Sequence, residues 1–444
     1  MNAERTNARA TQPPQRRFFL VRLNEVVKDS FWIVPSLFLV AAVVLGYSLR
    51  ALDDRLAVSA ADSPFWVGAP GAASAILSTI ATAILTFLGV VFSITLVALQ
   101  LASQQFSPRV TRTFVRATTT KVALGTFIAT FVVSIIALSG VESKVEGTST
   151  VPVASVTMSQ ALVGLSLVVF IVFVNSTTRL IRINYIISAV AEETRRAIAL
   201  NYPPDEEYTT VERLELGAPA AVLESAALLP RRYRGVLLGV DAKHLVDVAA
   251  KYECVLVLTR RIGEYIPRGT PLFEVHGGRA PRELEVMRAI DLGRERTLFQ
   301  DPLYGVRQLV DIAAQALSPA INAPTSAVQV IDRLTDLLPE IAERPDPSGL
   351  FADSSGRLRL VLPVTAWPGI VELAFTEIRT FGSGSPQVTR RLVSAFDTLI
   401  AQVPDRRRPP LQHQLELLIA AVRARRGDEN EQRAWLESDP LGLG

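Results

Sequence analysis

Ala72–Arg116 reads AASAILSTIATAILTFLGVVFSITLVALQLASQQFSPRVTRTFVR, and the organisation of the chain follows from how that stretch is read. No charged residue occurs between Asp62 and Arg109. As a helix the apolar run Ala72–Ala102 would be about 46 Å long, whereas about 20 residues cross a bilayer core. A membrane span that tilts, or that projects beyond the lipid, is expected. Its polar residues are periodic. Thr79, Thr86, Ser93 and Gln100 are spaced seven apart, and Thr82, Gly89 and Ser103 follow three residues after three of them. On a helix these form one narrow face of small and hydroxyl-bearing side chains. Close helix packing accounts for such a seam, because small residues let backbones approach and hydroxyls bond across. A water-facing pore lining accounts for it too, and a seam facing an oligomer axis satisfies both.

The 444 residues are 49% hydrophobic with a mean hydropathy of +0.29, too apolar for an ordinary soluble protein. The apolarity lies before Arg179, and the remaining roughly 260 residues have soluble composition. Net charge is +3 and no basic block carries interleaved aromatics, which disfavours nucleic acid as a partner. A single cysteine, Cys254, excludes an intrachain disulfide. His244, His276 and His413 are too far apart for a metal-ligand motif, so no metal and no cofactor are expected.

Four spans are predicted, over Phe31–Leu49, Ala72–Ala102, Val122–Val141 and from Val153 to Thr178. Residues Phe18–Lys28 read as an amphipathic segment on the membrane surface. Lys and Arg alternate between the flanking loops. Arg5, Arg9, Arg16, Arg17, Arg22 and Lys28 precede the first span, and only Arg50 and Arg55 follow it. Arg109, Arg112, Arg116 and Lys121 precede the third, Lys144 alone follows, and Arg179 and Arg182 close the fourth. This bias places both termini in the cytoplasm. No ionisable residue lies inside a span, which disfavours proton relays and ion-coupled carriers. The fourth span is expected to continue as one helix through Leu200, since no Pro or Gly interrupts it.

From Pro219 the pattern turns to strands. Gly263-Glu-Tyr-Ile-Pro-Arg-Gly-Thr-Pro-Leu-Phe-Glu-Val275 resembles the hammerhead turn of biotinyl and lipoyl barrel-sandwich domains, without a Met-Lys-Met turn to carry a cofactor. After Pro281 helices dominate. Asp301-Pro302 and Ala323-Pro324 read as N-cap and first-turn pairs, and the tail 427–444 is expected to fray. The fold class is therefore a four-helix membrane domain followed by an α+β region, a small β-barrel or barrel-sandwich-like domain plus a helical bundle. Its segments are 1–28, 29–182, 183–218, 219–280, 281–426 and 427–444.

Three stretches carry a family resemblance. They are Phe92-Ser-Ile-Thr-Leu-Val-Ala-Leu-Gln-Leu-Ala-Ser-Gln-Gln-Phe-Ser-Pro-Arg109, Asp301-Pro-Leu-Tyr-Gly-Val-Arg-Gln-Leu-Val-Asp-Ile-Ala313 and Leu317-Ser-Pro-Ala-Ile-Asn-Ala-Pro-Thr325. Together the chain resembles the bacterial membrane proteins grouped as domain of unknown function 2254. The resemblance implies architecture and no mechanism. Ala323 departs from it, since the family usually carries Asp there.

Two site candidates follow. Thr79, Thr82, Thr86, Gly89, Ser93, Gln100 and Ser103 would line a pore, with Gln104, Gln105, Ser107 and Arg109 at its cytoplasmic mouth and Arg109 favouring anions. Capping and headgroup contact explain the mouth residues more simply. Asp301, Arg307, Asp311 and Asn322 would form a polar pocket, although caps and solvated faces account for them as well. No phosphate loop, nucleophile elbow or paired-carboxylate site is visible, which argues against an enzyme. The expected function is a homo-oligomeric passive ion pore in the lipid bilayer with cytoplasmic regulatory domains. The alternative is a non-conducting scaffold or sensor whose soluble part binds a partner or small ligand. In a Cys254→Ser background, single cysteines at Ser59 and Ser143 should label from outside the cell. Protection of both would reverse the topology.

Overall fold

The computed structural model describes residues 30–56, 70–105, 118–142, 152–180, 182–202, 227–229, 233–424 and 428–441. The chain divides into two compact units between Tyr185 and Ile186.

The first unit holds α1 (Ile33–Leu56), α2 (Pro70–Gln105), α3 (Thr118–Glu142) and α4 (Val153–Leu180). All four are long and apolar enough to cross a membrane. Such runs become helices in lipid because every backbone N–H and C=O is then satisfied within the segment. Half of the span in α3 is buried, against about a fifth in each of the others, so α3 is the central post. Gly residues let α1 lie close to it. A Cβ on Gly125 would sit 2.7 Å from the Phe38 ring, and one on Gly46 would sit 2.7 Å from Ile136. These contacts make α1 and α3 parallel. Thr130 and Ser166 meet at 2.9 Å and Thr119 and Ser176 at 3.4 Å, so α3 and α4 are antiparallel. At one end the Asp53 carboxylate accepts bonds from Ala154 N at 2.8 Å, Ser155 N at 3.1 Å and Ser155 Oγ at 2.5 Å. It thereby caps α4 from the last turn of α1. Direction alternates along the chain.

The expected unbroken helix from the fourth span to Leu200 is absent. α4 stops at Leu180 and α5 runs over Ile183–Asn201. Arg182 N bonds to Arg179 O and Tyr185 N to Arg182 O, each at 3.0 Å, a three-residue spacing that interrupts the four-residue ladder. The reason is packing: Ile186, Ile187, Val190 and Ile198 of α5 are buried in the second unit.

That unit contains two open sheets. One has the order β1 (Ala227–Leu229), β5 (Phe273–His276), β3 (Val255–Leu258), β8 (Leu358–Val361), β7 (Leu350–Ala352). The other has the order β4 (Tyr265–Ile266), β2 (Gly235–Val240), β6 (Ile290–Gly293). No barrel closes among the described residues, contrary to the expected barrel-sandwich. The hammerhead-like segment does supply β4 and β5, but each pairs in a different sheet. A helix, α6 (Ala242–Lys251), also enters between β2 and β3, and its Leu245 and Val248 share a core with Leu256, Phe273 and Leu360. Strand β8 joins β3 in parallel, with Leu256 opposite Leu360.

Between the strands lie α7 (Glu283–Met287), α8 (Pro302–Ala316) and α9 (Pro324–Ala342). After them come α10 (Trp367–Gly382), α11 (Pro386–Gln402), α12 (Arg408–Arg423) and α13 (Glu429–Trp435). Pro at the first position opens α8, α9 and α11, as its fixed φ and missing N–H favour. Against the expected fraying, the described residues 428–441 of the tail form α13 and pack. Asp439 is buried with its N–H on Arg390 O at 3.3 Å, and Arg391 bonds to Pro440 O at 3.2 Å.

Helix α5 is built into this unit. Arg195 pairs with Glu340 at 2.7 Å, and Arg344 bonds to the terminal carbonyls of Ile198 and Tyr202. Gly305 of α8 faces Thr194 so closely that a Cβ there would lie 1.9 Å from Oγ1 and 2.8 Å from Cβ. Gly305→Ala should therefore destabilise the unit by about 1–3 kcal/mol, seen as a lower unfolding midpoint of the full chain in detergent. Adding Thr194→Ala should recover part of the loss. An unchanged midpoint in the single variant would contradict the close approach.

Candidate functional site

The stripe on α2 is turned outward. Thr79, Thr82, Thr86, Gly89, Ser93 and Gln100 are all exposed, whereas Ala73, Leu77, Ile80, Ile84 and Val91 on the other side are buried. Ser103, Gln104 and Gln105 fall in the last turn of α2, and their side chains lie outside the described positions. Ser107 and Arg109 lie outside the described residues, as does the Phe18–Lys28 segment.

The threonine donors are satisfied locally. Thr79 bonds to Ala75 O at 2.7 Å, Thr82 to Ser78 O at 2.9 Å and Thr86 to Thr82 O at 3.1 Å. Each hydroxyl oxygen keeps acceptor capacity toward whatever faces it. At Gly89 an added Cβ would meet nothing within 4 Å, so the middle of the stripe is open to a close neighbour. The stripe lies near the centre of the exposed arc of α2. Leu85 and Phe92, each 56% exposed, flank one edge. At the other edge a crevice of about 170 Å³ opens between Thr79, Ala83 and Phe87 of α2 and Val163, Ser166 and Leu167 of α4.

Phe87 packs on Phe127 at 6.3 Å and on Phe170 at 5.0 Å between centroids, which sets the three at one depth.

A second hydroxyl file was not singled out from the sequence. Thr126, Thr130 and Ser134 of α3 and Ser155, Ser159 and Ser166 of α4 are all buried. Thr126 bonds to Val122 O and Thr130 to Thr126 O, each at 2.9 Å, and Thr130 meets Ser166 across the interface. The four-residue spacing of Thr126, Thr130 and Ser134, and the four- and seven-residue spacing of Ser155, Ser159 and Ser166, are the sequence signals for it. Toward the Thr118 end, Ala123, Phe127 and Phe173 fill the bundle, so the file meets an apolar plug. It packs α3 against α4.

In the second unit Arg307 and Asp311 come together, whereas Asp301 finds a different partner and Asn322 lies exposed. Asp301 precedes α8, but its side chain does not cap the helix. It accepts two bonds from Arg296, at 2.9 and 2.7 Å, and the guanidinium lies over the Tyr304 ring at 5.1 Å. Burial pushes the Asp301 carboxyl above the usual aspartate range, against the opposing pull of Arg296. Gly263, at φ 89°, lets the preceding turn approach, since a Cβ there would be 2.2 Å from Asp301 Oδ2. Arg307 instead forks onto Glu377 of α10, with one bond at 2.8 Å, and reaches Asp311 at 2.7 Å. Hydrogen bonding to Glu377 raises the Arg307 guanidinium further above its ordinary value, despite partial burial. Asn322 is exposed in a turn with φ 46°. Among the described residues, no group of three or more His, Cys, Asp or Glu is placed to hold a metal ion.

Ala323 is the N-cap of α9, at φ −114°, with Pro324 next and no side-chain bond to the exposed N–H groups. Ala323→Asp should supply that acceptor and stabilise the full chain by about 0.5–2 kcal/mol, raising its unfolding midpoint. An unchanged midpoint with new cation binding would make the position a ligand group instead.

The Asp301 carboxyl generates a pH dependence. Because its folded pKa is raised, its stabilising effect is full below the unfolded value of about 3.9 and is lost as pH rises through the raised value. The midpoint advantage of the native chain over Asp301→Asn should shrink from about pH 4 to pH 8. A growing advantage would mean that Arg296 outweighs burial.

The family model for predicted membrane proteins, DUF2254, matches residues 28–398, which covers the spans and the second unit through most of α11. Uncharacterized proteins of Mycobacterium bovis and Mycobacterium tuberculosis are each 30% identical over 419 residues, 92% of this chain and 79% of theirs. No solved structure matches the chain. The chain belongs to the DUF2254 family of predicted membrane proteins.

Proposed function

We propose that the protein is a homo-oligomer of the bacterial inner membrane in which α2 helices surround a passive ion pathway, with both termini cytoplasmic. The observation that carries this reading is the outward orientation of every described stripe residue, Thr79, Thr82, Thr86, Gly89, Ser93 and Gln100. A hydroxyl face that met only lipid would gain nothing from its acceptors, whereas water or a neighbouring helix can use them. The apolar flank at Leu85 lies near the depth of the α2/α4 crevice on the opposite edge. Rotation about an axis normal to the membrane keeps depth, so one copy can present Leu85 to the next copy's crevice and leave the stripe facing the axis. The end of α2 would carry Gln104 and Gln105 into a cytoplasmic mouth, where Ser107 and Arg109 follow in sequence and Arg109 favours anions. The second unit is read as a regulatory domain without catalytic activity.

A second reading is favoured by one observation. The threonine donors already bond to their own helix, so the stripe can rest against another helix with no water between. In that case the oligomer is a non-conducting scaffold or sensor.

Cysteine accessibility in the Cys254→Ser chain separates the two. Cysteines at Thr86 and Ser93 should react with small aqueous thiol reagents at least about tenfold faster than cysteines at Leu85 and Val91. Modification at Thr86 should also reduce ion flux through proteoliposomes. Equal inertness at all four positions would leave helix packing as the role of the stripe.

A further inference from the structure

We draw no further inference here: the strongest candidate, the buried hydroxyl file between α3 and α4 with the unpaired Ser134 Oγ, carries nothing beyond packing, because Thr126 and Thr130 bond within their own helix or across to Ser166 and a rotation of the Ser134 side chain reaches the Thr130 carbonyl one turn back.

Discussion

A polar group inside a bilayer has no water to turn to, and leaving it unpaired costs several kcal/mol. That constraint shapes the membrane unit at two levels. It forces the apolar runs into helices, and it decides how their serines and threonines are used. Most pay for themselves by bonding to the carbonyl one turn back, as Thr79, Thr82, Thr126 and Thr157 do. Once satisfied in this way, a hydroxyl can sit in a core or on a surface. Its position is then set by packing. The α3 hydroxyls became interior glue because Gly125 and Ala123 draw neighbours onto that helix. The α2 hydroxyls remained outside, because Ile80, Ile84 and Val91 form the face that α2 buries.

The second unit depends on a different device, a set of arginines that tie segments distant in sequence. Arg344 closes the carbonyl end of α5, Arg296 holds Asp301 beside Gly263, and Arg307 joins α8 to Glu377 of α10. Arg407, buried beneath Trp367, bonds to Asp346 at 2.7 Å and to backbone carbonyls that follow α9. The planar guanidinium can satisfy several acceptors at once, which suits junctions where helix ends expose carbonyls. Helix α5 is fastened to α9 by Arg195 on Glu340 and to α8 by the close approach of Gly305 to Thr194.

The four candidate spans were legible from composition, with ends displaced by a few residues. α1 extends to Leu56 because Asp53, read as loop, is needed to cap α4. The starts of α8 and α9 were legible because Asp301-Pro302 and Ala323-Pro324 are local signals. The α4/α5 break was not, since no residue at 180–183 forbids a helix and the break comes from tertiary packing of Ile186 and Val190. The sheets were half legible. The Gly-punctuated run Gly263–Val275 marked β4 and β5, but strand pairing across long separations, such as β3 with β8, leaves no local trace. Helix α6 did leave one, Asp241 accepting from His244 N at 3.0 Å, and it was passed over within a β-rich stretch. Periodicity exposed the hydroxyl file of α2 and not the buried one between α3 and α4. Which one faces inward depends on the partners of each helix, and a single sequence does not encode that as a pattern.

The account rests on α2 meeting copies of itself. Direct imaging of the detergent-purified full chain, with its oligomeric state resolved, tests that claim most simply. The result predicted is a ring of subunits with α2 innermost, Thr86 and Ser93 facing the axis, and α1 on the lipid side. A monomer, or an assembly in which the α2 stripe faces lipid while other helices meet at the axis, would contradict it.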